Sequence, residues 1–321
     1  MGESALRLRR GGRVKPPRDH RPGGRPGGPG PHRGLGHPRS DQRPDQRSNW
    51  REPGRGGPPG QREAERGGKW QPRTAPPPRP PEAPRGTVWL YGQHAVAAAL
   101  ANPARRLRRL LLTEEAAAAL AERLRPPWAI PHETVERGRL DHLLGRDVVH
   151  QGVALLADPL GTPSLQHALE RPGPVVVLDQ VTDPRNVGAI LRSAAAFGAS
   201  AVIAQERNAP EETGALAKAA SGALETVPLL RAVNIARTLV ALKAAGIWMV
   251  GLDASGAAPL SGPALAGRRA GLVLGAEGTG LRRLTRETCD ELAKLAMPGG
   301  MESLNVSAAA AIALYEVTRQ P

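Results

Sequence analysis

The sequence predicts an α/β fold built on a parallel sheet, and three observations carry that prediction. From Pro174 onward, continuous β-branched runs such as VVVLD and AVIA alternate with alanine-rich helical segments. Such runs fit strands buried on both faces, as in sheets covered by crossover helices. The stretch LVLGAEGTGLRR, residues 272–283, joins a strand to a helix through a glycine-rich turn. Composition also changes sharply at Gly86, where a polar, basic stretch gives way to a chain able to bury a core.

The charge of the 321-residue chain is unevenly distributed. Residues 1–86 contain 20 Lys+Arg and 8 Asp+Glu, a net of +12, while the remaining 235 residues carry 24 against 22. Runs such as RPGGRPGGPG offer too little apolar area to offset the entropy of ordering them, so residues 1–86 read as a disordered basic arm. Its charge favours a polyanion, with nucleic acid the foremost partner; a purely solubilising tail is the alternative. Trp50 and Trp70 are placed to stack on bases but are isolated. No apolar run has the length of a membrane span, and the N-terminus lacks a hydrophobic signal region. The single cysteine, Cys289, excludes internal disulfides and fits a reducing cytoplasm. His132, His142 and His150 lack metal-ligand spacing, so no zinc site is expected.

Along the folded part, VWLY opens a strand, followed by an alanine-rich helix and a strand entered through Arg105, Arg106, Arg108 and Arg109. EAAAALAERLR reads as a helix stopped by Pro126 and Pro127, and ALLADPL as a closing strand. Residues 87–158 therefore form a small α/β domain, and 159–173 a linker with one short helix. Residues 174–321 form the larger domain: VVVLD, the helix NVGAILRSAAAFG, AVIA, the helix ETGALAKAASG, the short strand ETVPLLR and the helix NIARTLVALKAAG. IWMVGLD, AGLVLG and ELAKLAM supply further strands, and NVSAAAAIALYEV the final helix. A sheet of this kind binds ligands in the loops at its strands' C-terminal ends.

Three such loops contain chemistry. In DQVTDPRNVGAILR, Asp183 and Pro184 fit an N-cap and a first-turn proline, with Asn186 at the helix opening and Arg192 six residues on. That separation is about 120° around the axis, so the two do not share one stripe. Taken alone, Arg192 reads as a solvated or salt-bridging residue. In the second loop the glycines follow G-x-x-G-x-G rather than the dinucleotide pattern G-x-G-x-x-G, and Glu277 would repel a pyrophosphate. A nucleotide-dependent oxidoreductase is disfavoured on that ground. In the third, MESLNVS, one residue suffices to cap the final helix, yet Ser303, Asn305 and Ser307 alternate.

In order, N-x-G-A-I-x-R, G-x-E-x-x-G-L and S-L-N-V-S resemble the three motifs of the SpoU (TrmH-like) branch of the SPOUT RNA methyltransferases. YGQHAVAAAL and VHQGVALL resemble the start and end of that family's small RNA-binding domain. The full pairing is most like the bacterial 23S rRNA (guanosine-2′-O-)-methyltransferases. The resemblance implies a parallel α/β sheet with a C-terminal trefoil knot, S-adenosylmethionine as cofactor, and a homodimer with its site near the subunit interface. It implies methyl transfer to a ribose 2′-hydroxyl, with Arg192 as the catalytic arginine and Asn186, Glu277, Ser303 and Asn305 as a polar shell. Gly275, Leu295, Met297 and Leu304 are implied to hold the cofactor, largely through backbone. No metal is implied, and rRNA is the expected partner through the small domain and the arm. A tRNA-directed enzyme and a non-catalytic ribosome-assembly factor are the alternatives. Where many relatives have Ile-Pro-Met, this chain has Leu295-Ala296-Met297, which frees a φ and an N–H in that loop.

Overall fold

Two sheets organise the chain in the computed structural model, which describes residues 83–207, 209–301 and 303–319. Trp50, Trp70 and the expected disordered arm up to residue 82 lie outside the described residues. The smaller sheet uses β1 (Val88–Tyr91), β2 (Leu107–Leu112), β3 (His132–Thr134) and β4 (Val153–Ala157), in the order β1-β4-β2-β3. β4 runs antiparallel to β1 and β2, and β3 parallel to β2. Helices α1 (Gln93–Ala101), α2 (Glu114–Arg123) and α3 (Arg137–Leu144) connect them. α2 starts where Thr113 Oγ1 accepts the amide of Ala116 at 3.2 Å, with Glu114 and Glu115 in its first turn. Both features favour a helix N-terminus.

β3 and α3 have no counterpart in the sequence reading, for a physical reason. The side chains of β3 are all exposed, so it has no alternation to read, and α3 is only eight residues long with a single short apolar stripe, Leu140 with Leu143 and Leu144. His150 is fully buried. Its Nδ1 accepts the Gly152 amide at 3.1 Å and its Nε2 donates to Asp141 at 2.9 Å. It is a satisfied structural histidine that pins the turn before β4.

A short helix, α4 (Leu165–Leu169), lies between the sheets and is capped by Ser164. The larger sheet then forms from β5 (Val175–Asp179), β6 (Ala201–Gln205), β7 (Leu229–Ala232), β8 (Ile247–Leu252), β9 (Ala258–Pro259), β10 (Arg269–Gly275) and β11 (Glu291–Lys294). Its order is β7-β6-β5-β10-β8-β11-β9, and every pairing is parallel. All five residues of β5 are buried, as a two-sided strand requires. The connections carry α5 (Pro184–Ala196), α6 (Gly214–Ala220), α7 (Ile235–Ala244) and α8 (Arg283–Thr288), and α9 (Val306–Thr318) closes the chain. Asp183 caps α5 through the Arg185 amide at 2.8 Å, with Pro184 as its first residue, as the sequence predicts. Among the strands here only β9, an exposed dipeptide, escapes the sequence pattern, and so do the single 3-10 turns Ala223–Glu225 and Pro263–Leu265.

The two sheets share one continuous core, in which Leu90 and Val96 of the smaller part join Leu178, Leu191 and Leu216 of the larger. β1 crosses α6 so closely that a Cβ on Gly214 would strike the Tyr91 ring and the Trp89 carbonyl. Beside this crossing Arg105 is buried, ion-paired with Glu212 and Glu225, and donates to the Asp158 carbonyl at 2.9 Å. Burial alone lowers the Arg105 pKa, but the hydrogen bonds and charges of the two glutamates outweigh it and raise the value above the ordinary one.

Candidate active site

Adjacent parallel strands β5 and β10 end in register, with Asp179 opposite Gly275. Asp179 is fully buried, accepts Arg282 Nε at 2.7 Å on one oxygen, and accepts the Arg282 amide at 3.1 Å on the other. This pair fastens the far end of the glycine-rich loop to the strand beside it, which the sequence reading missed. The available signal was an acid closing an otherwise apolar buried strand. Within the loop, the Gly280 amide donates back to the Ala276 carbonyl at 2.9 Å. The returning backbone lies against Gly275, where any Cβ would collide with the Gly280 carbonyl group. Gly278 and Gly280 have φ of +80° and +65°, values that favour glycine.

Glu277 projects from this loop to the start of α9. Its Oε1 accepts Asn305 Nδ2 at 2.8 Å, Asn186 Nδ2 at 3.3 Å and the Val306 amide at 3.3 Å. Asn305 Nδ2 also donates to Asn186 Oδ1 at 3.1 Å. Asn305 Oδ1 caps α9 by accepting the Ser307 amide at 2.9 Å, and it accepts the Ser307 hydroxyl at 2.6 Å. The carboxylate thus meets the N-terminal turns of α5 and α9, whose dipoles favour negative charge. Its second oxygen, Oε2, has no hydrogen bond among the described residues, and both Glu277 and Asn305 are exposed. An acceptor held by three N–H donors and open on one side can orient a hydroxyl or ammonium group.

The structure therefore joins Asn186, Glu277 and Asn305 from three motifs, with Gly275 two residues from Glu277. Ser303 and Leu304 are exposed on the segment before α9, and Leu295 and Met297 are half-buried on the segment after β11. Ser303 makes no hydrogen bond with the described residues. Arg192 is not joined to the cluster. It is exposed and lines a separate cleft beside Lys218 and His94. Cys289 is no candidate nucleophile, since burial, chiefly, and Asp290 push its thiol pKa from 9.0 up to about 12. Among the described residues no group of three or more His, Cys, Asp or Glu is arranged to hold a metal ion, and no helix is long and apolar enough to cross a membrane.

The SpoU rRNA methylase family matches residues 173–315, and the RNA 2′-O ribose methyltransferase substrate-binding family matches residues 89–163. The 23S rRNA (guanosine-2′-O-)-methyltransferase RlmB of Pseudomonas putida is 40% identical over 244 residues, which cover 72% of this chain and 96% of that one. The chain belongs to the SpoU rRNA methylase family. RlmB of Ralstonia nicotianae, 41% identical over 246 residues, covers 72% of this chain and 95% of its own. Among solved structures, the SpoU methyltransferase AviRb from Streptomyces viridochromogenes in complex with the cofactor AdoMet shares the fold. It aligns with a TM-score of 0.59 at 24% identity over 73% of this chain and 89% of that one. In SpoU terms, the hydrogen-bonded cluster brings together all three of the motifs that carried the resemblance.

Proposed function

We propose that this protein transfers a methyl group from S-adenosylmethionine to the 2′-hydroxyl of a guanosine ribose in 23S rRNA. The observation that carries the reading is the Asn186–Glu277–Asn305 cluster at the C-terminal edge of β5 and β10, in a chain similar to RlmB along nearly the whole of RlmB's length. The residues present suit the cofactor. Gly275 keeps a backbone cradle that a side chain would fill, and Leu295, Met297 and Leu304 offer apolar surface and backbone groups on the two segments ahead of α9.

When bound, the cofactor supplies an electrophilic methyl carbon on a sulfonium. Transfer of that methyl to the ribose oxygen would require the hydroxyl proton to pass to an acceptor, and Glu277 Oε2 or solvent would take it. Two tasks fall to the chain: holding the hydroxyl in line and excluding unproductive poses. An arginine keeps its proton at neutral pH, so Arg192 orients the hydroxyl and a neighbouring phosphate rather than acting as a base. Glu277 Oε2 and Ser303 are acceptors open to solvent beside the cluster.

Asn186 and Arg192 lie about 9 Å apart along α5 and about 120° apart around it. We read this as a site completed in a homodimer, in which the Arg192 of one copy serves the cluster of the other. Exposed Ile312 and Tyr315 on α9 supply an apolar contact surface for that pairing. A trefoil knot in the C-terminal segment goes with the same reading, supported by α9 packing back onto α5 and the central strand β10. Residues 87–158 present the RNA, 159–173 connect, 174–321 catalyse, and the basic arm 1–86 adds electrostatic affinity. The cytoplasm is the corresponding compartment.

The test is incubation with labelled S-adenosylmethionine and unmodified rRNA or tRNA, followed by mapping of 2′-O-methyl nucleotides. Label in 23S rRNA is expected. Label in tRNA alone would overturn the rRNA assignment, and label in neither RNA would leave a binding factor. Arg192→Ala should abolish transfer while cofactor affinity is kept; a fully active variant removes Arg192 from the mechanism.

A further inference from the structure

Arg192, the last residue of the first motif, lies in a cleft that the cluster at Glu277 does not explain and that is lined mostly by residues outside the motifs. The cleft has a volume of about 580 Å³ and is bounded by the start of α1, the C-terminal half of α5 and the end of α6. That volume lies in the range of ligand clefts, about 300–1,000 Å³. Among the described residues lining it there is no carboxylate, whereas the two other large clefts contain three and five glutamates respectively. In a folded part of nearly balanced charge, the absence of acid beside Arg192 and Lys218 suits this cleft to an anion.

The donors are held in place. Lys218 Nζ donates to the Val149 carbonyl at 2.6 Å, which fixes the ammonium at the cleft while leaving two of its three donors free. Burial holds its pKa below the usual lysine value. His94, which lines the cleft, accepts Arg123 Nη1 on its Nε2 at 3.0 Å, so the exposed Arg123 guanidinium is tied to a lining residue though it is not itself one. The backbone is strained at the same place. Of the three non-glycine residues with positive φ among those described, Gln151 (φ 59°) and Ser221 (φ 50°) both line this cleft. Such conformations persist where the surroundings over-determine them, often at binding sites. Four alanines, Ala95, Ala98, Ala195 and Ala220, supply apolar lining, and the Gln151 side-chain oxygen is already used by the Gln93 amide at 3.1 Å. Held cations beside apolar lining suit a sugar–phosphate backbone.

We propose that this cleft is the track for the single-stranded RNA backbone next to the target ribose, with Lys218 and the Arg123–His94 pair gripping phosphates and Arg192 at the reacting end. The proposal rests on the RNA methyltransferase reading above and extends it to residues outside the motifs. It makes the junction of the two sheets, rather than the small sheet alone, the substrate-binding surface.

The test uses the full chain and a fluorescein-labelled single-stranded 23S rRNA fragment containing the mapped methylation site, with binding followed by anisotropy across a salt series. Lys218→Gln and Arg123→Ala should each weaken RNA binding about fivefold to tenfold and lower the log–log salt slope by about 0.7 per contact. S-adenosylmethionine affinity, measured by calorimetry, should stay at the wild-type value. Lys218 also ties α6 to the small sheet, so exposed Arg123 provides the variant whose fold is secure; thermal melting checks both. Folded variants with wild-type RNA affinity and salt slope overturn the cleft assignment while leaving the methyltransferase reading intact. Failure of the wild-type protein to methylate any RNA would instead sink that underlying reading.

Discussion

Glu277 shows how a residue that looked ill-placed becomes intelligible. In the sequence it was an acid in a glycine turn, unsuited to a pyrophosphate. In the structure it accepts from Asn186, Asn305 and the first amide of α9, so one carboxylate oxygen ties three motifs together. Hydrogen bonds to a charged acceptor contribute about 1.5–3 kcal/mol each, less where solvent competes, as here. Glu277→Gln keeps the shape and removes the charge. Methyl transfer should fall by about tenfold or more, and stability by only about 0.3–1 kcal/mol, the scale of a lost charge at a helix N-terminus. Steady-state kinetics with a melting curve checks both. Wild-type turnover in this variant would show that the carboxylate is merely a cap. The same logic separates Asn305, which caps α9 and belongs to the cluster, from Ser303, which bonds to neither.

At the scale of elements, α5 and α6 meet at Gly188. A Cβ there would come within 2.5 Å of the Leu216 carbonyl and 2.6 Å of the Ala219 methyl. Gly188→Ala should push the helices apart and cost about 1–3 kcal/mol, as overpacking usually does. A urea midpoint equal to that of the wild type would show that the crossing can relax freely. The glycine was legible as part of a motif but not as a packing contact, because its partner lies on another helix. That division runs through the whole fold. VVVLD was legible because a strand buried on both faces has no polar alternation to confuse it. Asp183 and Asn305 were legible because capping is local. β3 was invisible because its residues face water, and α3 because its one apolar stripe spans barely two turns. Asn186, Glu277 and Asn305 were each nameable, yet their mutual bonds span 28 to 119 residues and only the folded chain could supply them. Asp179 and Arg282, 103 residues apart, gave even less, since each looks ordinary in its own segment.

For the whole molecule, the buried Arg105 decides how the two sheets are joined. Its side chain is fully inaccessible and bridges Glu212 and Glu225, whose side chains are only 12% and 5% exposed. Removing it strands two carboxylates in a nearly dry junction, so Arg105→Ala should destabilise by about 3–5 kcal/mol. Chemical denaturation measures this, and a loss below about 1 kcal/mol would mean that water reaches the glutamates. The order of the larger sheet has a further consequence, one of time. β10 lies between β5 and β8 and is the only strand bonded to both. Val175 emerges from the ribosome long before its partner Gly271. At about 5–20 residues per second, the delay is roughly 5–20 s. Until then one edge of VVVLD is unpaired and β8 has no partner at all, since β11 follows β10 in the chain. Any product released before Arg269 carries that bare hydrophobic edge, a template for association between nascent chains. The last sixth of the chain therefore completes the Asn186–Glu277–Asn305 cluster and also closes the period in which the protein is prone to stick to itself.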